Sequence, residues 1–352
     1  MRAVRVLTVV GNRPQFVKAA AVSSRLRAVG EEVLVHTGQH YDDALSRVFF
    51  DELELPRPEH RFELGGGSNT EQTARMLSAI APLLGDVDAV LVYGDTNSTL
   101  AGALAAAQAG VPVAHVEAGM RSYDRSMPEE LNRVLTDHAS SLLLCSSEAA
   151  AETLRGEQVV GAVKVVGDVM VDVFELLAPR ADAFVLGTLG VTHGEYLLAT
   201  AHRAGNVDDP TRLRALVDVL TGMPLPVVLP LHPRTRARLD AAGLLEALEG
   251  VIVAPPLGYL EFTALVVGAR AVLTDSGGVQ KEAYLAGVPC VTLRATTEWR
   301  ETIDAGWNVL VDLDADAARA ALARPVPAER PPLYGDGQAG ARVVDALVRM
   351  VG

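Results

Sequence analysis

Three carboxylates stand where short apolar runs give way to glycine or proline. They are Asp95 in Tyr93-Gly94-Asp95-Thr96-Asn97, Glu117 in His115-Val116-Glu117-Ala118-Gly119, and Glu129 in Met127-Pro128-Glu129-Glu130. Crowded carboxyl groups push one another's pKa values apart, so one can serve as acid while another serves as base. Proton transfer is therefore the chemistry these residues suit. Two of them also have a plain structural alternative. Asp95 suits the cap of a helix. Glu129 and Arg133, four residues apart, suit a surface ion pair of little energetic weight. A carboxylate that ends a strand and is followed by glycine, as Glu117 is, is harder to explain structurally.

A second group of residues suits an anion. Ser276-Gly277-Gly278 makes a turn of bare backbone that feeds a helix. Free N–H groups and the helix dipole at such a turn can hold a diphosphate. Glu282, deeper in that helix, can accept hydrogen bonds from ribose hydroxyls. A plain strand–helix turn needs only one glycine. His202-Arg203 closes another apolar run and suits phosphate contact or proton transfer. Arg13 and Lys18 open the first helix, where a cation suits phosphate and equally suits solvent. No Gly-x-Gly-x-x-Gly is present, which disfavours a dinucleotide cofactor. Cys145 and Cys290 lie in or beside apolar runs without metal-site spacing and read as small buried hydrophobes.

Such residues must be presented by neighbouring loops. Apolar runs at 4–10, 32–36, 89–93, 111–116, 141–145 and 163–167 alternate with helical patterns. Six more follow at 196–201, 226–231, 250–255, 271–275, 289–293 and 308–311. Continuous apolar strands separated by amphipathic segments indicate parallel sheets covered on both faces. The expectation is an α/β chain of two Rossmann-like, doubly wound domains facing each other across a cleft. Residues 1–167 would carry the carboxylates and 168–339 the diphosphate turn. A helix over 340–352 would pack back on the first domain. A length of 352 residues suits two domains. The net charge of −13 offers no overall basic footprint for nucleic acid. No run reaches the ~20 apolar residues of a membrane span, and the first run is too short for a signal core. A cytoplasmic protein follows. The residues alone describe an enzyme that grips a nucleotide diphosphate and presents carboxylates to its cargo, most naturally a sugar. Glycosyl transfer and isomerisation both stay open.

The motifs GNRPQFVK (11–18), HTGQHYD (36–42), YGDTNSTLAG (93–102), HVEAGMRS (115–122), PEELNR (128–133), AHR (201–203), LTDSGGVQKEA (273–283), TTEWRET (296–302) and YGDGQA (334–339) run almost from end to end. Together they resemble the non-hydrolysing UDP-N-acetylglucosamine 2-epimerases. The resemblance implies a two-lobed fold shared with a large glycosyltransferase class (GT-B-like), a cytoplasmic homodimer and a UDP-sugar substrate, with neither nicotinamide nor metal. It implies proton transfer by Asp95 and Glu117 with assistance from Glu129, and a functional His202 near the diphosphate. It implies UDP contacts from Arg13, Lys18, Ser276, Gly277, Gly278 and Glu282, uracil packing by Phe262, and Arg133 at the cleft. The implied reaction removes the C2 proton as UDP leaves C1, forms a 2-acetamidoglucal, and re-adds UDP with C2 inverted. Several positions depart from the family pattern: Asn12, Gln15, Gly205 and Trp299-Arg300. Residues 64–70 lack an arginine, and Tyr41 stands where arginine is frequent, which points away from activation by a second substrate molecule. SYDRSMPEE and TTEWRET look more like a branch acting on modified sugars such as UDP-2,3-diacetamido-glucuronate. A glycosyltransferase, a hydrolysing epimerase and a nucleotide-sugar sensor are the alternatives.

Overall fold

A computed structural model describes residues 3–39, 50, 52–125, 127–181 and 183–352. His40, Tyr41 and Asp42 of the HTGQHYD motif and Ser126 of the SYDRSMPEE segment lie outside the described residues. The chain divides into two compact units. The first is Met1–Glu175 with Tyr334–Gly352, and the second is Leu176–Leu333.

The first unit is built on a seven-stranded parallel sheet. Its strands are β1 Val4–Val10, β2 Gly30–His36, β3 His60–Arg61, β4 Ala89–Tyr93, β5 Val113–Val116, β6 Leu142–Cys145 and β7 Ala162–Val165, in the order β3-β2-β1-β4-β5-β6-β7. The second unit has six parallel strands: β8 Leu197–Thr200, β9 Val227–Pro230, β10 Val251–Ala254, β11 Ala271–Thr274, β12 Cys290–Thr292 and β13 Asn308–Leu310. They run in the order β10-β9-β8-β11-β12-β13. The α/β class and the doubly wound sheets are as the apolar runs imply. Twelve runs matched twelve strands, and β3 is the one with no run behind it. Two residues at a sheet edge carry no apolar signature.

Every residue of β4 and of β6 is buried, as expected where helices cover both faces of a parallel sheet. Helix starts are chemically marked. Asn12 accepts from Gln15 N–H ahead of the helix Arg13–Val29, whose first turn holds Pro14. Thr96 and Thr99 cap the helix Asn97–Gln108 reciprocally. Cys145 and Cys290 are both buried, and burial pushes each thiol up to about 12. They are inert small hydrophobes.

Both sheets reverse winding direction once, between β1 and β4 in the first and between β8 and β11 in the second. Loops leaving the carboxyl ends of strands on either side of such a point diverge to opposite faces. The crevice they leave is where ligands bind in this architecture. The loop after β1 begins at Gly11, that after β4 at Gly94, that after β8 at Ala201 and that after β11 at Asp275. These are the loops that carry the chemically distinctive residues.

Candidate active site

In the first unit, Gln15 ties the two switch-point loops together. Its carbonyl accepts from Gly11 N–H at 2.7 Å. Its amide donates to the Tyr93 carbonyl at 2.8 Å and to the Thr96 and Thr99 hydroxyls at 3.0 and 2.8 Å. The side chain is 2% exposed, so these bonds are made away from water. Gly94 N–H donates to Val116 O at 3.0 Å, which joins the Asp95 loop to the Glu117 loop. Glu117 itself takes a left-handed backbone, φ 70°, held by donation of its N–H to Leu144 O at 3.0 Å.

Each of these carboxylates has a cation. Lys18, one turn into the first helix, ion-pairs with Glu117, and the two side chains are largely buried. Arg133 pairs with Asp95 at 2.5 Å and with Glu130 at 3.4 Å. A side chain at Gly94 would crowd the first pair, since its Cβ would lie 3.3 Å from Lys18 Nζ and 3.7 Å from Glu117 Oε2. Asn132 donates to Asp95 O at 3.0 Å and to Asn97 Oδ1 at 3.2 Å, which fixes the loop on its other side. Arg13 is half-buried at the first position of its helix.

Glu129 is placed differently. It is exposed in the first turn of the helix Pro128–Ala139 and is not a partner of Arg133. Its neighbour Glu130 is the buried one. Glu130 accepts from Ser122 N–H, Ser122 Oγ and Tyr123 N–H at 2.8–3.0 Å. Burial alone would raise its pKa, but these bonds and Arg133 bring the carboxyl below its ordinary value. Two adjacent glutamates differ by about 100° around a helix. Which of them faces inward depends on the 122–123 loop, and sequence spacing carries no record of it.

In the second unit, Asp275 is fully buried and organises the loop after β8. It accepts from His202 N–H at 3.1 Å, Arg203 N–H at 3.0 Å and Asn206 Nδ2 at 3.2 Å. His202 is thereby held at the strand end with its ring exposed, 3.7 Å from Asp275 Oδ1 and 5.8 Å from the His232 ring centroid. Asp275 and Asn206 were absent from the sequence-derived site. The signal available was an aspartate between an apolar run and Ser-Gly-Gly.

Ser276 stands at the N-cap position of the helix Gly277–Ala286, with no capping bond from its side chain. The two glycines serve different ends. A Cβ on Gly277 would come within 3.1 Å of Glu298 Oε1 and Trp299 Nε1, a tight contact that favours glycine there. A Cβ on Gly278 would meet nothing nearer than Ser276 Oγ at 3.9 Å. Nothing in the protein's own packing needs a glycine at 278. Behind the turn, Lys281 is buried with its ammonium 4.3 Å from the Trp299 ring centroid. Glu298 bonds Arg294 at 2.8 Å and Arg203 at 3.3 Å. Burial raises its pKa, and these arginines outweigh that and hold it below its ordinary value. Glu282 is buried at 9% exposure. Desolvation pushes its carboxyl up to about 7, against partial relief from a Tyr259 hydrogen bond and the Lys281 charge. Phe262, half-buried on the helix Tyr259–Gly268, packs on the apolar cluster around Tyr196 and Leu265.

Among the described residues no group of three His, Cys, Asp or Glu side chains could hold a metal ion, and no helix is long and apolar enough to cross a membrane.

A family model described as UDP-N-acetylglucosamine 2-epimerase matches residues 25–348. A Pseudomonas aeruginosa protein named UDP-2,3-diacetamido-2,3-dideoxy-D-glucuronate 2-epimerase is 44% identical, covering 98% of this chain and all of that one. A Methanocaldococcus jannaschii UDP-N-acetylglucosamine 2-epimerase is 38% identical over 96% of this chain and 97% of its own. The crystal structure of M. jannaschii UDP-GlcNAc 2-epimerase in complex with UDP-GlcNAc and UDP superposes with a TM-score of 0.89 at 37% identity. It covers 99% of this chain and all of that one.

Proposed function

Because the chain belongs to the UDP-N-acetylglucosamine 2-epimerase family, we propose that it interconverts UDP-N-acetylglucosamine and UDP-N-acetylmannosamine without hydrolysis. One of Asp95 and Glu117 removes the proton from sugar C2. The C1–O bond breaks, and its electron pair leaves with UDP. The products are UDP and a 2-acetamidoglucal. A phosphate oxygen of UDP then re-forms the bond to C1 while the other carboxyl delivers a proton to the opposite face of C2. The sequence is redox-neutral.

The observation that carries this reading is the pair of joined strand-end loops that follow β4 and β5 in the first sheet. They put Asp95 and Glu117 on neighbouring turns, each beside its own cation, Arg133 and Lys18. Charge is thus compensated locally as the proton moves. Glu129 assists from the exposed first turn of its helix, and Arg133 also meets the sugar. UDP must stay bound between the two half-reactions. The bare turn at Ser276, Gly277 and Gly278, with His202, Arg13 and Lys18, holds its phosphates. Glu282 takes the ribose hydroxyls, and Phe262 packs on uracil.

A second reading is 2-epimerisation of a UDP-2,3-diacetamido-glucuronate. The 44% identity to the Pseudomonas protein named for that sugar supports it. Proton NMR in D2O with each UDP-sugar, and no acceptor, tests both. Appearance of the C2 epimer carrying deuterium at C2 is the expected result. Free sugar and UDP would establish hydrolysis, and an unchanged spectrum with both sugars would overturn both readings. We also propose a cytoplasmic homodimer. Light scattering at the mass of one chain would remove the dimer.

A further inference from the structure

His115 belongs to the HVEAGMR motif, and the reaction leaves it without a task. It lies on β5, 0% exposed. Its Nε2 is 2.7 Å from the Gly94 carbonyl, and its Nδ1 is 2.7 Å from Asp137 Oδ1 on the helix Pro128–Ala139. A carbonyl oxygen and a carboxylate oxygen only accept hydrogen bonds. A neutral imidazole has one N–H, so it would leave a lone pair facing one of them. Both contacts are made only when both nitrogens carry hydrogen.

The surrounding charges agree. Asp137 Oδ2 accepts from Gly119 N–H at 3.2 Å and from Arg121 at 2.7 Å. Arg121, 2% exposed in its side chain, grips Glu157 through two bonds at 2.7 and 2.8 Å. His138 approaches Glu157 from the outer side at 3.6 Å. Cys145 on β6, its thiol pushed up to about 12 by burial, adds no charge. Asp137, Arg121 and His115 are buried and Glu157 stands partly exposed at their edge; with a protonated His115 the four groups sum to zero.

We propose that His115 is a positioning residue, an imidazolium held between two acceptors, that sets the Asp95 loop against the Glu117 loop. Its Nε2–H holds the peptide carbonyl immediately before Asp95. Its counter-ion Asp137 holds Gly119 and Arg121, immediately beyond Glu117. One buried charge pair thereby fixes the spacing of both proton-transfer groups. The inference rests on the roles given above to Asp95 and Glu117, but the charge state does not depend on them.

Two measurements test it. In wild-type protein labelled with nitrogen-15 histidine, assigned through His115→Gln, both His115 ring nitrogens should show directly bonded hydrogen. One unprotonated nitrogen there would overturn the assignment, whatever the substrate. Kinetics supply the second arm. His115→Gln keeps a donor toward Gly94 O and loses Asp137, whereas His115→Asn keeps a donor toward Asp137 and loses Gly94. Positioning predicts that the asparagine variant loses more turnover, about 10²-fold in kcat, with KM within a few-fold, although it keeps the bond to the buried carboxylate and melts no lower than the glutamine variant. Turnover that follows melting temperature in both variants would reduce His115 to a structural residue. If wild-type protein exchanges no C2 proton with either UDP-sugar, the acid/base roles fall while the nitrogen shifts still decide the charge.

Discussion

Glu282 offers a measurement of burial energy that needs no substrate. Its carboxyl titrates at about 7 in the folded protein against an ordinary 4.5. An acid whose pKa is raised by folding stabilises the fold fully below its unfolded value. Between pH 4.5 and 7 the unfolded chain gives up the proton while the folded chain keeps it, so stability falls. Above 7 both are ionised, and the loss is complete at about 3 kcal/mol. Glu282→Gln is neutral at every pH and has the same shape, and its carbonyl can still accept from Tyr259. Both tryptophans of the chain, Trp299 and Trp307, lie in the second unit. Denaturant unfolding followed by tryptophan fluorescence therefore reports on the unit that holds Glu282. The difference in unfolding free energy between wild type and Glu282→Gln should swing by about 3 kcal/mol between pH 4.5 and 8, in favour of the variant at high pH. Parallel stability curves would refute the argument that desolvation governs this carboxyl.

Ribose hydroxyls donate best to the ionised form, so UDP binding near pH 6 should expel a proton from Glu282. Calorimetry in buffers of different ionisation enthalpy should show that release, and Glu282→Gln should abolish it. Gly277→Ala would press a methyl to 3.1 Å from Glu298 Oε1 and Trp299 Nε1 and should destabilise the second unit by about 1 kcal/mol. Gly278→Ala should leave the melting temperature unchanged and weaken UDP binding; equal effects from both substitutions would contradict the division of labour drawn here. Asp275→Asn turns an acceptor of three N–H donors into a group that itself donates. It should cost about 1–3 kcal/mol in unfolding experiments and lower turnover by displacing His202. Asp95→Asn and Glu117→Gln should each lose about 10²–10⁴-fold in turnover while titrating UDP normally. Normal turnover in both would remove their roles.

Much of the framework was legible before any coordinates. Continuous apolar runs mark strands buried on both faces, and polar residues directly after them mark strand-end loops. The structure puts Asp95, Glu117, His202 and Ser276 in the strand-end loops that this position implies. What stayed hidden depends on tertiary contact. Lys18 and Glu117 are 99 residues apart, and only the adjacency of β1, β4 and β5 brings their elements together. The inward turn of Glu130 over Glu129 is set by the 122–123 loop. Asp275 reads in sequence as one more loop aspartate, and only the path of the chain after β8 turns three N–H groups toward it. Gly277 and Gly278 are identical in sequence, and only Trp299 and Glu298, some twenty residues on, tell them apart.

The second unit is one continuous stretch of chain, whereas the first is completed by Tyr334–Gly352. Gly340 in the helix Ala339–Val351 lies so close to the Ala21 carbonyl that a Cβ would not fit, and Asp172 accepts from Ala339 and Gly340 N–H at 3.0 and 2.8 Å. On a ribosome adding about 5–20 residues per second, the unit made first therefore waits some ~10–30 s for its last helix. During that interval the surface meant for Val343, Val344 and Leu347, all buried in the finished protein, faces water. The order of synthesis and the order of completion are reversed. The first unit is thus the last to be completed.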